Sequence, residues 1–85
     1  MFYTYVLQSK KKLDQLYIGY TTNLKQRSIR HNKGLVQSTK PYCPWGLIFY
    51  EAYQSKKDAK RRELYLKTTK GRKALKLMLR DSLGK

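Results

Sequence analysis

Three short runs of aromatic and β-branched residues occur along the 85-residue chain, and each predicts a β-strand. They cover residues 2–8, 15–21 and 46–53, with the sequences FYTYVLQ, QLYIGYT and GLIFYEAY. Only the polar stretch SKKKLD separates the first two, which predicts an antiparallel hairpin. The first run has bulky residues at both odd and even positions. We therefore expect it to lie in the middle of the sheet, covered on both faces.

The segment between the second and third strands predicts a helix and then irregular structure. Residues 22–34 have the features of a short helix, with Thr22 or Asn23 as its N-cap and Gly34 after a basic last turn. Residues 35–45 contain two prolines, which discourage regular structure.

The C-terminal third predicts two more helices. The first begins at Ser55, which forms a capping-box pattern with Asp58, and it is predicted to stop at Gly71. The second covers residues 72–83 and is amphipathic. Its apolar side consists of Leu75, Met78 and Leu79. The order β-β-α-β-α-α predicts one small α/β sandwich domain, residues 1–85.

Charge is the strongest feature of the composition. The chain has 20 Lys and Arg against 5 Asp and Glu, a formal net charge of +15. Because self-repulsion of this size disfavours a compact fold, we interpret the charge as serving a polyanionic partner, with nucleic acid as the first candidate. A solubilising surface and an anionic membrane surface are the alternatives.

The sequence also excludes several classes of protein. No run approaches the roughly 18 apolar residues of a membrane-spanning helix, and the N-terminus lacks the features of a signal peptide. The single cysteine, Cys43, can form neither an intrachain disulfide nor a cysteine zinc site. We therefore expect a cytoplasmic protein.

Glu63 stands alone as an acid within the basic stretch AKRRELYL, residues 59–66. On a helix it shares a face with Ala59 and Leu66, so we expect its carboxylate at the edge of the buried side. A carboxylate in that position either pairs with a base or binds a cation. Taken alone, a salt bridge to one of the arginines is the simpler interpretation.

Two further pairs of residues suit phosphate chemistry. Arg27 and His31 lie four residues apart on one helix face; a guanidinium binds phosphate bidentately, and a neutral imidazole is a base near pH 7. Tyr17 and Gly19 share one face of a strand. The glycine there marks either a bulge or a close approach to the backbone, beside which a tyrosine hydroxyl can bind water or phosphate. Together with Glu63, this set indicates phosphodiester hydrolysis.

The segment STKPYCPWG, residues 38–46, allows two interpretations. Tyr42 and Trp45, next to Lys40, can stack on unpaired bases. The same rings can fold back over the sheet, and we favour this packing interpretation.

These motifs, in this order, resemble the GIY-YIG nuclease superfamily, in particular its small stand-alone, excinuclease-C-like branch. The resemblance rests on YTYVL, LYIGYTTNLKQRSIRHN and AKRRELYLK, and it extends from about residue 2 to Leu75. It implies a three-stranded antiparallel sheet flanked by helices. Two departures are evident: the first motif reads Tyr3-Thr4-Tyr5 without the namesake Gly and Ile, and no residue matches the family's last asparagine. Because of the second departure, the resemblance assigns no substrate contact to the C-terminal residues.

The resemblance also implies roles for single residues. The positions that match the family motifs are Tyr5, Tyr17, Gly19, Arg27, His31 and Glu63. Glu63 would hold a divalent cation, Mg²⁺ or Mn²⁺. Tyr17 would orient or deprotonate a water with His31 as proton acceptor, Tyr5 would position the water or phosphate, and Arg27 would stabilise phosphoryl charge.

The leading hypothesis is a metal-dependent endonuclease acting on DNA at structured, damaged or single-stranded sites. RNA remains an alternative substrate, and a partner protein can supply specificity, because no attached DNA-binding domain is recognised. One competing hypothesis is a nucleic-acid-binding module with the same fold and little cleavage, and another is a membrane-surface tail formed by the last helix. We expect that helix to complete the core instead. The residues assigned to nucleic-acid binding are Gly19, Lys40 and Trp45.

Overall fold

The computed structural model describes residues 1–84, and its elements follow the predicted order β-β-α-β-α-α. Each strand differs from its predicted range by one residue at one end. The elements are β1 (Phe2–Ser9), β2 (Leu16–Thr21), α1 (Leu24–Asn32), a 3₁₀ turn (Lys40–Tyr42), β3 (Trp45–Tyr53), α2 (Lys56–Lys67) and α3 (Thr69–Met78).

The three strands form one antiparallel sheet in the order β2-β1-β3. The prediction that the first strand lies in the middle is therefore confirmed. In the β1–β2 ladder, Tyr5 lies opposite Gly19, and the pairing runs without a shift from Tyr3 to Gln8. In the β1–β3 ladder, Tyr5 lies opposite Tyr50, and a register shift follows between Val6 and Leu7.

Each face of the sheet has its own apolar cluster. On one face, Val6 and Ile18 pack against Leu66 of α2 and Leu75 of α3, all at most 1% exposed. Full burial of a leucine side chain stabilises a fold by roughly 1.5–3 kcal/mol. This helix pair therefore contributes substantially to a small domain, and α3 completes the core, as expected.

The second face of the sheet carries the aromatic cluster. Tyr5, Leu7 and Trp45 are buried there, and Leu24 of α1 packs against them. Of the two predicted N-caps, Thr22 and Asn23, the helix uses Asn23, whose side chain accepts a hydrogen bond from the Gln26 amide at 3.0 Å. As a result, α1 is held over the face of the sheet that bears the predicted site residues.

Several details of the helix prediction are wrong, and one is the end of the last helix, which falls at Met78 and not at residue 83. Ser55 lies at the N-cap of α2 but makes no side-chain capping bond, and Asp58 pairs with Arg61 at 2.9 Å instead. Met78, predicted on the buried side of the last helix, is 50% exposed. The break between the last two helices falls at Thr68 and not at Gly71.

Local contacts explain the position of that break. The hydroxyl of Thr68 donates to the Tyr65 carbonyl at 2.6 Å and accepts from the Gly71 amide at 3.0 Å, so it ends α2 and caps α3. Gly71 lies inside α3, and a Cβ there would overlap the backbone of Tyr65. The glycine therefore permits the close approach of two helices. No helix within residues 1–84 is long and apolar enough to cross a membrane.

Candidate active site

An open groove of about 410 Å³ lies along the β2 edge of the sheet, with walls from β2, α1 and α2. Three of the five residues predicted to be catalytic line this groove: Tyr17, Arg27 and Glu63. They come from three different elements, so only the fold brings them together. The other lining residues are Tyr20, Thr21, Thr22 and Lys60.

Tyr5 lies directly behind the groove and fills the space that Gly19 leaves open. A Cβ built on Gly19 would lie 2.5 Å from both Cζ and the hydroxyl oxygen of Tyr5. Of the two alternatives for Gly19, the structure shows the close approach, and the group that approaches is the ring of Tyr5. Because Gly19 is buried beneath that ring, its assignment to nucleic-acid binding stays a prediction that no contact supports.

The Tyr5 hydroxyl connects the two predicted site residues of α1. Arg27 Nε donates to this oxygen at 3.3 Å, and His31 Nε2 lies 2.9 Å from it. Burial raises the pKa of Tyr5 to about 12, so the phenol is neutral near pH 7. The hydrogen bond to Tyr5 raises the pKa of Arg27, which stays cationic at the groove.

His31 is fully buried, and its imidazole is held from both sides. Nε2 faces Tyr5, and Nδ1 lies 2.8 Å from the hydroxyl of Thr39. Burial, assisted by the charges of Arg27 and Arg30, lowers the pKa of His31 to about 4. The ring is therefore neutral near pH 7, as a proton acceptor must be. Its nitrogens point to Tyr5 and Thr39 and not into the groove.

Glu63 occupies the predicted edge of the buried side of α2. Its side chain is 12% exposed, while Ala59 and Leu66 on the same face are 0% exposed. The carboxylate pairs with Lys67 at 3.0 Å and with Lys60 at 3.8 Å. The salt-bridge interpretation expected an arginine as the partner of Glu63, whereas the partners in the structure are lysines of the same helix. Such pairs contribute only about 0.3–0.5 kcal/mol each, so a stronger ligand can displace them.

The oxygen-rich lining near Glu63 fits a hard divalent cation. The residues that line the groove with Glu63 include Tyr17, Thr21 and Thr22, whose side chains carry hydroxyl oxygens, although that of Thr21 already bonds the backbone of Asn23. Within residues 1–84, no group of three or more His, Cys, Asp or Glu gathers around a common point. A cation at Glu63 would therefore take most of its ligands from water and substrate, as Mg²⁺ does readily.

The segment 35–44 and the start of β3 pack as the favoured interpretation expects. Trp45 is 4% exposed, and its indole N–H donates to the Thr39 carbonyl at 2.9 Å. The Asn32 side chain accepts from the Trp45 amide at 2.6 Å and donates to its carbonyl at 3.0 Å. Base stacking on Trp45 would require this segment to open. Lys40 is exposed, and its aliphatic chain lies near Gly34.

Thr39 and Lys60 are among the residues at the site that were not predicted from the sequence. Thr39 contacts His31 although no local motif links them, so no signal could have found it. Lys60 is exposed, and its ammonium lies 4.7 Å from the centre of the Tyr20 ring at the groove. Its position three residues before Glu63 was the available signal.

A three-stranded antiparallel sheet with flanking helices and this groove at its β2 edge defines a small α/β domain. The model of the GIY-YIG catalytic domain family matches residues 1–76, and the chain belongs to this family. The resemblance inferred from the motifs is thereby confirmed.

Similar proteins occur in several bacteria. The chain is 38% identical over 77 residues to the UPF0213 protein SH2523 of Staphylococcus haemolyticus, an alignment that covers 89% of this chain and 92% of the relative. It is 33% identical over 84 residues to the UPF0213 protein CPE1444 of Clostridium perfringens, covering 98% and 88% respectively. A UPF0213 protein of Pediococcus acidilactici is 38% identical over 82 residues, covering 91% and 80%.

Proposed function

We propose that this protein is a metal-dependent endonuclease that hydrolyses phosphodiester bonds in DNA. The observation that carries the proposal is the convergence of Tyr17, Arg27 and Glu63 on one groove of a domain with a net charge of +15. A phenol, a guanidinium and a carboxylate are suited to orient water, bind phosphate and hold a cation. Membership of a nuclease family supports the same reaction class.

Arg27 is the residue proposed to bind the scissile phosphate. One of its five N–H donors holds Tyr5, which fixes the guanidinium at the edge of the groove. Its remaining donors can bind phosphoryl oxygens, and the permanent charge stabilises the negative charge that builds up during attack.

Tyr17 is the residue proposed to orient the attacking water, because it lines the groove while Tyr5 is only 1% exposed. The rings of Tyr17 and His31 lie 4.9 Å apart, centre to centre. A proton that leaves the groove would reach His31 through the hydroxyl of Tyr5, 2.9 Å from Nε2. His31 would thus act as an acceptor behind the first layer of residues.

Glu63 is the residue proposed to hold Mg²⁺ or Mn²⁺, after Lys60 and Lys67 are displaced from its carboxylate. When bound, such a cation supplies electrostatic stabilisation of the leaving oxygen.

The test is a cleavage assay on plasmid, single-stranded and branched DNA and on RNA, with Mg²⁺ and with EDTA. We expect cuts in at least one DNA substrate that disappear in EDTA. The alternative is a binding module, which the pairing of two lysines with Glu63 favours, since a carboxylate neutralised in this way has less attraction for a cation. Salt-sensitive binding without cleavage of any substrate would support that alternative and reject the endonuclease. Cleavage of RNA alone would reject DNA as the substrate.

A further inference from the structure

A chain of hydrogen bonds runs from the groove into the segment between α1 and β3. Arg27 Nε lies 3.3 Å from the Tyr5 hydroxyl, which lies 2.9 Å from His31 Nε2. His31 Nδ1 lies 2.8 Å from the Thr39 hydroxyl, and that hydroxyl donates to the Val36 carbonyl at 3.2 Å. A neutral imidazole carries one proton, on either Nδ1 or Nε2, and its two neighbours decide which.

At the groove end of this hydrogen-bond chain, the contacts place the imidazole proton away from Nε2. Arg27 can only donate, so the Tyr5 oxygen accepts from it and retains its own proton to give. If Nε2 were protonated, that oxygen would receive two donors. The Tyr5 proton, in a side chain only 1% exposed, would then have no acceptor among its neighbours in residues 1–84. An unsatisfied buried donor costs roughly 1–3 kcal/mol.

The other end of this hydrogen-bond chain is compatible with the same tautomer. The Thr39 hydroxyl has one proton, and when it donates that proton to the Val36 carbonyl it offers a lone pair to Nδ1. The Thr39 side chain is 1% exposed, so water does not replace this contact readily. The Tyr5 end therefore requires the proton on Nδ1 and the lone pair on Nε2, and the Thr39 hydroxyl can accept the Nδ1 proton while it donates to the Val36 carbonyl.

We propose that Thr39 is a positioning residue of this site: its hydroxyl holds His31 in the tautomer protonated at Nδ1, so that Nε2 accepts the proton of Tyr5. Thr39 touches neither the groove nor a substrate. It acts through His31 and Tyr5 on the orientation of Arg27. The catalytic consequence rests on the proposed function, whereas the tautomer itself does not.

The surrounding segment is built to keep Thr39 in place. The Thr39 carbonyl accepts from the Trp45 indole at 2.9 Å, and the Cys43 thiol donates to the His31 carbonyl at 2.9 Å. The segment 35–44 therefore clamps the histidine from its side chain and its backbone. This gives the segment a role that does not depend on stacking with bases.

The direct test is nitrogen-15 NMR of the imidazole at neutral pH. The chain has one histidine, so its ring signals belong to His31 without further assignment. In the wild-type protein we expect a protonated Nδ1 and an unprotonated Nε2. The opposite pattern would overturn the proposal by itself, even if no variant of Thr39 folds.

Variants then show whether Thr39 is the cause. Thr39→Ser keeps the hydroxyl and should retain the tautomer. Thr39→Val keeps the shape but loses the acceptor, and should move the proton to Nε2 in a substantial share of the molecules. An unchanged tautomer in a folded Thr39→Val protein would reject the role of Thr39.

A matched control separates positioning from loss of stability. Ser9 is also fully buried, and its hydroxyl anchors the same segment by donating to the Tyr42 carbonyl at 2.7 Å, without contacting His31. Ser9→Ala should lower the melting temperature and leave the tautomer unchanged. If it shifts the tautomer as strongly as Thr39→Val does, loosening of the segment explains both results and the proposal fails.

Cleavage rates give the second readout. Under conditions where both proteins are fully folded, Thr39→Val should cut DNA about 10- to 100-fold more slowly than the wild-type protein. This is the usual effect of losing a partner that orients a functional histidine. Thr39→Ser should restore most of the rate, and full activity in Thr39→Val would reject the catalytic part of the proposal. If the wild-type protein cuts nothing, the proposed function fails, while the tautomer result still decides the structural claim.

Discussion

The ring of Tyr5 on β1 covers Gly19 on β2, its partner in the ladder, at a distance where no side chain would fit. The hydroxyl of the same ring meets both Arg27 and His31. The glycine therefore acts on the site indirectly. By leaving room for one ring, it fixes the point from which the arginine and the histidine are both held.

Gly19→Ala should displace Tyr5 and lower the free energy of unfolding by about 1–3 kcal/mol, the usual cost of overpacking a core. Urea unfolding measures this loss. The control is Gly46→Ala on the edge strand, where the new Cβ would lie 3.4 Å from the flexible end of Lys10. Equal losses in the two variants would show that the contact with Tyr5 is not the cause.

Most of the fold could be predicted because its signals are local. Runs of aromatic and β-branched residues marked the strands, and Thr22 or Asn23 marked the start of α1. The break at Thr68 was misplaced because glycine is a common helix terminator, whereas Gly71 is needed for contact with the Tyr65 backbone in three dimensions. The spacing of residues along the sequence does not reveal such a close approach of two helices.

Tyr17→Phe should lower the turnover of DNA cleavage and leave DNA affinity nearly intact. The reason is that the hydroxyl in the groove orients water, while phosphate binding rests on Arg27 and the surrounding positive charge. Single-turnover rates and binding curves separate the two effects. Tyr50→Phe is the control, because Tyr50 belongs to the opposite edge strand and is 53% exposed. Unchanged turnover in Tyr17→Phe would reject the role given to this residue.

His31 should make the fold less stable as the pH falls. Burial lowers its pKa from 6.5 to about 4, so between these values the unfolded chain binds more protons than the folded one. The free energy of unfolding should drop by up to about 3 kcal/mol across this window on account of His31. Above about pH 7.5 neither state binds the proton, and the contribution is constant.

The measurement is urea unfolding at several pH values between 4 and 7, for the wild-type protein and for His31→Gln. Carboxylates titrate in both proteins and cancel in the difference. The variant, less stable at pH 7, should approach the wild-type stability at pH 4. A stability difference that does not change with pH would contradict a neutral, buried His31.

Lys60→Gln should weaken DNA binding and reduce the slope of log affinity against log salt by about one, as expected for a lysine that contacts a phosphate. Its ammonium lies at the groove, over the ring of Tyr20. Lys57→Gln removes the same charge from an exposed position of α2 outside the groove lining. Titrations at several salt concentrations compare the two. Identical slopes would indicate that the groove is not where DNA binds.

The candidate site could be predicted only in part. Motif order identified the residues that line or adjoin the groove, because each motif is contiguous in the chain. The contacts that organise them could not be predicted: Tyr5 meets His31 across 26 residues, and Thr39 reaches it from a segment without regular spacing. The Thr39 hydroxyl acts through the buried His31, and a contact of this kind produces no periodic pattern in the sequence.

Comparison of the wild-type protein with Glu63→Gln in a Mg²⁺-dependent DNA cleavage assay tests the central claim most directly. The substitution keeps the size of the side chain and removes the charge that would hold the cation. It breaks only the weak ion pairs to Lys60 and Lys67, so the melting temperature should change by no more than about 5 °C. We predict that cleavage falls by about 100-fold or more while DNA binding is retained. Cleavage by Glu63→Gln at the wild-type rate would contradict a metal-dependent nuclease centred on Glu63.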